Sequence, residues 1–517
     1  MSRFIGSIIR AIPGTSLHAI RQFSADPVGV QNRLLISMLK RAADTEWGRR
    51  YNFNQISRSE DAVSTYLDAV PIHSYDDYEE DVRRIREGHP DIIWPGRFYD
   101  FAVSSGTVSK GKIIPISPET MKKNMRFSLG SAINYSATSG QAGFWFGRFL
   151  SLPGQMHPDE KYPGNFIGEV SGLQARYAPT IIAKYYQAVP NDILFIGNWE
   201  KKLDAVVEHV AKMDIRAIAT VPTWAMILFT RLIDHVNDKG DRKVNSIAEI
   251  WPNLQTIFTG GVALSSYRRV LMDQIGKPSV ALLETYGASE GYFSFQDDPD
   301  RPDMLLHLDN GVHYQFVRMD EFNKPGARRY TIGEVETDIR YALYVSTVSG
   351  LWSFPVHDVV KFTQLYPHRI VVAGRTSEMI DKYGEAVFAD EARKTLEYAC
   401  AKFGYAVVDY HVAPSPPDVD RMPAHQWLVE FDTPPADLDT MSSVMDEYLQ
   451  EINRHYMIRR EAQAFGPPQI VSLPPGTYFK WLKKTKTRVS AQSKVPRMSE
   501  ERQIADSVLE TAGIAAS

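Results

Sequence analysis

Residues 254–287 read LQTIFTGGVALSSYRRVLMDQIGKPSVALLETYG, and this stretch indicates the fold class. An apolar run at 254–258 ends at two glycines, a helical pattern begins near Tyr267, and a second apolar run covers 280–284. A strand that feeds a helix and then another strand is typical of an α/β domain. Ligands of such domains bind at the loops that follow the strands.

The same alternation extends over about residues 30–370. Residues 198–213 place five apolar side chains on one helical face, and the buried run 217–221 that follows ends at Pro222. The sequence therefore predicts a large N-terminal α/β domain, residues 1–373, whose β-sheets are covered by helices.

The pattern changes after Gly374. We predict a helix near 390–403, strands at 406–412 and 427–431, and a helix from about 438 to 454. This is a smaller α+β domain, residues 374–517. Its polar tail after Arg497 is expected to be loosely held, and the first fourteen residues are expected to form a short amphipathic helix.

Length and composition favour a globular protein that acts on small molecules. The 517 residues exceed what one hydrophobic core supports, and 44% are hydrophobic, 11% aromatic and 23% charged. The 58 basic and 62 acidic residues nearly cancel, so we expect no nucleic-acid partner. No run approaches the roughly 18 apolar residues that span a bilayer, so we expect no membrane contact and a cytoplasmic location.

The chain has one cysteine, Cys400, which excludes an internal disulfide and fits a reducing compartment. It lies in a helical pattern with Leu396 and Phe403, so we predict a buried small apolar side chain rather than a catalytic thiol.

The first chemical signal is SSGTVSKGK at 104–112, which follows a strand-like run. Small residues, hydroxyls and lysines suit a phosphate-binding loop. The spacing from Gly106 to Lys112 also resembles a Walker A loop, but Ile113 replaces the magnesium-binding hydroxyl. Moreover, the β-like run that follows contains Pro115, whereas a Walker loop must open a helix. What remains is a phosphate loop that closes a β-hairpin, or an ordinary Ser/Gly turn.

The second signal is TYGASEG at 285–291, directly after a predicted strand. It contains G-x-S-x-G, the nucleophile elbow of α/β-hydrolases, with Ser289 as the nucleophile. That elbow needs a helix next, but Pro299 and Pro302 interrupt the polar stretch that follows. A loop with an aromatic ring, hydroxyls and a carboxylate suits a nucleotide and its magnesium better.

The third signal is LWSFPVHDVVKF at 351–362. Its Asp358 would by itself be an ordinary turn residue, and His357 a surface or structural histidine. We find no Cys/His cluster with zinc-ligand spacing.

Taken in this order, the three segments resemble the auxin-responsive acyl-acid amido synthetases, the Gretchen Hagen family. This family is a branch of the adenylate-forming superfamily, which includes acyl-CoA synthetases and luciferase. Further stretches agree over about residues 30–497, among them TVPTW from Thr220, GRTSEMIDKYGE from Gly374 and QSKVPR from Gln492.

The resemblance implies an ATP-dependent ligase that adenylates a small carboxylic acid and passes the acyl group to an amine, usually an amino acid. ATP and magnesium are the implied cofactors. The residues it assigns to ATP are Ser104, Ser105, Gly106, Thr107, Lys112, Gly260, Gly261, Thr285, Tyr286, Ser289, Asp358 and Arg375. Tyr286 would pack on the purine and Asp358 would bind the ribose hydroxyls.

Two residues receive catalytic roles from the resemblance. Glu290 would coordinate magnesium, and Lys494 would assist adenylation from a mobile small domain that rotates about Gly374-Arg375. We place Trp145, Trp224 and Tyr292 in the acyl pocket because such pockets are lined by aromatic side chains. Core packing is the alternative role for each of the three.

The sequence departs from the family pattern at Pro355 and His357, where a basic residue and a glycine are usual, and at Ser490 and Ala491, where a Gly-Gly pair is common. The alternatives are an acyl-CoA ligase, a hydrolase that uses Ser289, and a nucleotide-binding protein with weak catalysis. We expect a monomer or homodimer. Neither the acid nor the amine follows from the sequence.

Overall fold

The computed structural model describes residues 16–103, 112–177, 186–239, 243–322, 324–383, 385–416, 422–485 and 495–514. The predicted N-terminal amphipathic helix, the predicted phosphate loop except Lys112, and Lys494 therefore lie outside the described residues.

Helices begin the described chain, and all of those below except the first contribute side chains to one hydrophobic core. They are α1 (Ser16–Ala25), α2 (Pro27–Ala42), α3 (Glu46–Arg50), α4 (Phe53–Ile56), α5 (Ala62–Ala69) and α6 (Asp76–Arg86). The start of α2 is fixed locally, because the Asp26 side chain accepts a hydrogen bond from Gly29 N and Pro27 occupies the first turn. Trp47 and Tyr66 are fully buried in this core.

A four-stranded sheet follows, in the order β2-β1-β5-β4. Its strands are β1 (Asp100–Val103), β2 (Ile113–Ile116), β4 (Met156–Pro158) and β5 (Phe166–Gly168). β1 pairs antiparallel with β2 and parallel with β5. The predicted β-structure after Lys112 is therefore confirmed.

The larger sheet has ten strands in the order β11-β12-β13-β14-β10-β9-β8-β7-β6-β3. Its bounds are β3 (Arg148–Ser151), β6 (Ile215–Thr220), β7 (Thr256–Gly260), β8 (Ala281–Ala288), β9 (Gly291–Phe295), β10 (Met304–Leu306), β11 (Val312–Arg318), β12 (Arg340–Thr347), β13 (Phe354–Gln364) and β14 (Arg369–Arg375). β3, β6, β7 and β8 run parallel, and β9 turns back antiparallel to β8. The predicted strands near 217–221, 254–258 and 280–284 are confirmed as β6, β7 and β8.

Most of the next helices cover the parallel strands, whereas Val170–Ala175 packs against β1 and β5. These helices are α7 (Pro118–Ser139), α8 (Val170–Ala175), α9 (Asn191–Leu194), α10 (Trp199–Val210), α11 (Pro222–Lys239), α12 (Ile247–Ile250) and α13 (Arg268–Ile275). The predicted helix at 198–213 is confirmed as α10, where the Asn198 side chain caps the first turn by accepting from Lys201 N. Leu203 and Leu228 are 1% and 0% exposed, and burial of each such side chain contributes about 1.5–3 kcal/mol.

The chain divides into two compact units. The larger unit comprises residues 1–356 and 361–371, and the smaller unit comprises 357–360 and 372–517. The division therefore passes through β13 and β14 rather than through a linker.

The smaller unit is α+β. Its elements after β14 are β15 (Met379–Ile380), β16 (Val387–Phe388), α14 (Ala389–Phe403), β17 (Val407–Pro414), β18 (His425–Phe431), α15 (Leu438–Ile452), α16 (Arg454–Glu461), β19 (Gln469–Leu473), α17 (Thr477–Thr485) and α18 (Gln503–Ala512). Cys400 is buried in α14, as predicted, and burial raises the pKa of its thiol to about 12.

The predicted loosely held tail is wrong for residues 503–512. These residues form α18, whose Ala505, Val508 and Leu509 are buried in one cluster with Trp481 of α17. Small residues at helical spacing allow this close packing, which composition alone did not reveal. Among the described residues, none of the helices combines the length and hydropathy that crossing a membrane requires.

Candidate active site

The predicted phosphate loop connects two paired strands. Val103 at the end of β1 lies opposite Ile113 at the start of β2, so residues 104–112 join neighbouring antiparallel strands. The Walker A interpretation requires a helix here and is excluded. The Lys112 ammonium lies 5.8 Å from the ring centroid of Tyr75 and 5.9 Å from that of Phe354.

The second group of predicted residues meets at the carboxyl ends of three parallel strands. The register places Thr220 of β6 opposite Thr259, and Gly260 of β7 opposite Thr285 of β8. The Thr285 hydroxyl donates to Thr259 O at 2.9 Å, which fixes its side chain across the strand pair. Two motifs that lie 25 residues apart in sequence are thus adjacent at one sheet edge.

Gly260 and Gly261 are needed here for different reasons. A Cβ on Gly260 would lie 2.9 Å from Thr285 Oγ1 and 3.0 Å from Thr285 O, closer than side chains pack. Gly261 has φ +86°, in the left-handed region that favours glycine. Gly260 therefore allows Thr285 to pack closely against β7, and Gly261 allows the backbone turn that follows.

TYGASEG forms a tight β-hairpin. β8 ends at Ala288, β9 begins at Gly291, and these two residues pair, so Ser289 and Glu290 form the turn. A nucleophile elbow requires a strand followed by a helix, so the hydrolase interpretation of Ser289 is wrong. Glu290 is 7% exposed, and the 8% exposed Tyr286 packs its ring 5.1 Å from that of Phe293. The sequence did not predict β9.

The three predicted pocket aromatics do not share one location. Trp224 lies in the first turn of α11, directly after the carboxyl end of β6. Tyr292 lies one residue into β9, its hydroxyl donates to Gln174 Oε1 at 2.8 Å, and burial raises its pKa to about 12. Trp145 instead precedes β3 at the amino-terminal edge of the sheet, where its indole N–H donates to Ser136 Oγ at 2.8 Å.

A buried lysine that the sequence did not reveal holds the loop after β3, at the carboxyl edge of the parallel strands. Lys202 of α10 is fully buried, and its ammonium donates to Pro153 O at 3.0 Å, just after the carboxyl end of β3. Burial lowers the pKa of Lys202 to about 8, and the Glu169 carboxylate opposes this shift. Sequence spacing gives no signal for this contact because α10 lies 49 residues from the loop it holds.

In the smaller unit, Asp358 and Arg375 lie together. Arg375 Nε is 3.6 Å from Asp358 Oδ1, and the Asp358 side chain is 13% exposed. The preceding residue, His357, has φ +66°, and its carbonyl accepts from Thr376 N at 2.9 Å. The left-handed backbone that a glycine would favour is therefore present at His357 although the side chain differs.

The segment directly after Lys494 is firmly attached within the smaller unit. Arg497 N donates to Glu378 Oε1 at 3.0 Å. The Arg497 guanidinium pairs with Asp409 and lies 4.8 Å from the centroid of the Tyr410 ring. Met498 is 1% exposed and forms a parallel bridge with β17. Sequence reasoning missed Glu378 and Asp409 because they lie 119 and 88 residues from Arg497.

Among the described residues, no group of three His, Cys, Asp or Glu side chains could hold a metal ion. Magnesium commonly uses one or two carboxylates together with substrate phosphates, so the single carboxylate of Glu290 fits magnesium that arrives with ATP.

Comparisons with known proteins agree on one family. The GH3 family N-terminal domain matches residues 16–202, the central domain matches 305–375 and the C-terminal domain matches 390–503. Together these matches cover more than half of the chain.

Relatives match over nearly their whole length. The indole-3-acetic acid-amido synthetase GH3.5 of Arabidopsis thaliana is 29% identical over 548 aligned positions, covering 90% of this chain and 87% of the relative. GH3.8 of Oryza sativa subsp. indica, which carries the same enzyme name, is 23% identical over 557 positions, covering 93% and 90%.

Solved structures share the fold. The acyl acid amido synthetase GH3.15 in complex with 2,4-DB superposes with a TM-score of 0.74 at 16% identity, covering 96% of this chain and 95% of that one. A 2-hydroxyisobutyryl-CoA ligase in the postadenylation state has a TM-score of 0.56 at 12% identity, covering 94% and 91%. The chain thus shares the fold of both proteins, and its three domain matches show that it belongs to the GH3 family.

Proposed function

We propose that the protein is an ATP-dependent acyl acid amido synthetase. It joins a small carboxylic acid to AMP and then transfers the acyl group to an amine, which we take to be an amino acid. The observation that carries the proposal is the register of β7 and β8, which places Gly260 opposite Thr285 at a carboxyl edge. Membership of the GH3 family supports the same chemistry.

The first half-reaction makes the carboxylate reactive. A carboxylate oxygen is a poor leaving group, so the acid attacks the α-phosphate of ATP, pyrophosphate leaves, and a mixed anhydride with AMP forms. Charge that develops on the phosphate oxygens is stabilised by placed donors. We assign this role to the serine-rich loop at 104–107 and to Lys494.

The remaining assignments position the nucleotide. We assign the adenine to the backbone at Gly260 and Gly261, and Asp358 accepts hydrogen bonds from the ribose hydroxyls. Thr285 and Ser289 approach the phosphates. Glu290 would hold magnesium, which neutralises phosphate charge when bound.

The second half-reaction forms the amide. The amine nitrogen attacks the acyl carbon, the bond between that carbon and the AMP oxygen breaks, and AMP leaves with the electron pair. Trp224 and Tyr292, which lie at the carboxyl edge and beside the β8–β9 turn, are our candidates for the acyl pocket. Trp145 lies apart from these two residues, with its indole at the amino-terminal edge of the sheet.

One experiment tests both steps. Pyrophosphate exchange into ATP is measured over a library of carboxylic acids, and products formed with mixed amino acids or with coenzyme A are then identified by mass spectrometry. We expect acid-dependent exchange and an amide product. A thioester product would make the protein an acyl-CoA ligase, and no exchange with any acid would leave a nucleotide-binding protein without this catalysis.

A further inference from the structure

A cavity of 570 Å³ lies beside the amino-terminal half of β8. Its walls come from the end of α7, the start of α13, the first residues of β8 and the loop at 297–300. Leu282 lines this cavity, whereas Tyr286 lies four residues further along the strand, about 13 Å away at roughly 3.3 Å per residue. The cavity is therefore distinct from the edge that we assign to the nucleotide.

Two arginines line the cavity, and among the described residues only one of them forms ion pairs with carboxylates. Arg369 is paired with both Asp297 and Asp303. Arg268 donates to the Leu282 carbonyl at 3.3 Å, and no carboxylate of the described residues comes within ion-pair distance of it. Burial lowers the pKa of Arg268, and the nearby carboxylates of Glu284 and Asp300 oppose this shift without forming an ion pair with it. The guanidinium fork is therefore open to a direct, charge-assisted pair with a ligand carboxylate.

Opposite charges lie in the same cavity wall. Asp298 and Asp300 both line it, and Asp298 Oδ1 accepts from Asp300 N at 2.9 Å. Within the described part of the chain, neither carboxylate forms an ion pair. Apolar side chains from Met272 and Pro278 complete this part of the lining.

We propose that the cavity binds a free α-amino acid in its zwitterionic form, at a site separate from the ligation site. Its carboxylate takes the planar fork of Arg268, and its ammonium faces Asp298 and Asp300. Its side chain packs against Met272 and Pro278. A volume of 570 Å³ suits a small molecule. Binding requires neither ATP nor an acyl acid, so the site stands independently of the ligase proposal.

Equilibrium dialysis tests this site directly. The full-length protein is dialysed without ATP against a mixture of the twenty standard amino acids, and the retained ones are quantified by mass spectrometry. We expect Arg268→Met to weaken retention by at least about tenfold, because an arginine–carboxylate pair is a strong charge-assisted contact. The matched control is Arg269→Met, since Arg269 is exposed and does not line the cavity.

Analogues of the retained amino acid test whether the site recognises its carboxylate, its ammonium group or both. The corresponding amine without the carboxylate and the acid without the amine should each bind at least about tenfold more weakly than the amino acid. The double variant Asp298→Asn, Asp300→Asn should bind the amino acid more weakly than the wild type does. It should bind the acid that lacks the amine as well as the wild type does.

Several outcomes would overturn the proposal. They are no retained amino acid with the wild type, full retention by Arg268→Met, an equal loss in Arg269→Met, or equal binding of the analogues. Amide synthesis at saturating amino acid should be unchanged in Arg268→Met. Absence of amide synthesis in the wild type would count against the ligase proposal alone, since the dialysis contains no ATP.

Discussion

In the smaller unit, the guanidinium Nε of Arg375 lies 3.6 Å from the carboxylate Oδ1 of Asp358. Both residues were assigned to ATP from separate sequence motifs, and β13 and β14 bring them together. An arginine this close orients the carboxylate, whose oxygens accept hydrogen bonds from hydroxyls.

Asp358→Ala should weaken ATP use. Hydrogen bonds to a charged group are worth about 1.5–3 kcal/mol each, so the KM for ATP should rise by at least about tenfold. Steady-state kinetics of pyrophosphate exchange measures this change. The control is Asp204→Ala, which removes an exposed carboxylate paired with Arg231 at 2.8 Å. An unchanged ATP dependence of Asp358→Ala would remove the ribose assignment.

Substitutions at His357 should separate the effect of its backbone conformation from the effect of its side chain. Because His357 already has φ +66°, His357→Gly should keep both activity and the free energy of unfolding, the latter within about 1 kcal/mol. His357→Val places a β-branched residue in the left-handed region and should lower the free energy of unfolding by about 1–2 kcal/mol. Denaturant titration and the KM for ATP report the two effects. A valine variant that matches the wild type in both would show that the backbone conformation at His357 carries no cost.

Lys494→Ala should damage adenylation far more than transfer. Loss of one placed donor costs on the order of 10²–10³ in rate, and this loss should fall on pyrophosphate exchange. Amide formation from a supplied acyl-adenylate should survive, because we assign Lys494 to the first step only. The two half-reactions are measured separately. Equal losses in both would contradict a domain rotation about Gly374-Arg375.

Arg497→Met should resemble Lys494→Ala. The Arg497 guanidinium ties the segment after Lys494 to Asp409, so its loss should misplace the lysine and slow exchange by on the order of 10²-fold, although the bond from Arg497 N to Glu378 remains. Transfer from a supplied acyl-adenylate should change little. The control is Arg454→Met, at an exposed arginine of the same unit. Parallel losses in both half-reactions would indicate a general stability defect instead.

Acid should destabilise the protein partly through His307. Burial among Phe23, Phe127 and Phe295 lowers the pKa of His307 to about 3. Since the ordinary histidine pKa is about 6.5, the unfolded chain binds a proton between these values that the folded chain does not. The contribution of the neutral His307 ring to the free energy of unfolding is fully present above about pH 6.5 and is lost as the pH falls toward 3.

His307→Phe should therefore reduce the stability lost between pH 7 and pH 5 by about 2 kcal/mol. Urea titrations at the two pH values measure the difference in the free energy of unfolding. His89→Phe at an exposed position should leave the pH dependence of stability as in the wild type. The same pH dependence in His307→Phe and wild type would contradict a neutral His307.

Local patterns predicted much of the secondary structure. The helix after Asn198 and the strands β6, β7 and β8 follow from apolar spacing and from Pro222, because side-chain periodicity acts over a few residues. The Walker A alternative could also be rejected locally, since Pro115 follows. The family resemblance rested on the order of such segments along the chain.

Tertiary structure decided which of these segments meet. Only the register of β7 with β8 places Gly260 opposite Thr285, and only the antiparallel return of β9 excludes the elbow at Ser289. It also held Trp145 at the opposite edge and paired Arg497 with a carboxylate 88 residues away. The physical reason is that strand pairing and side-chain burial depend on partners distant in sequence, whereas local sequence specifies only the backbone and capping preferences of each segment.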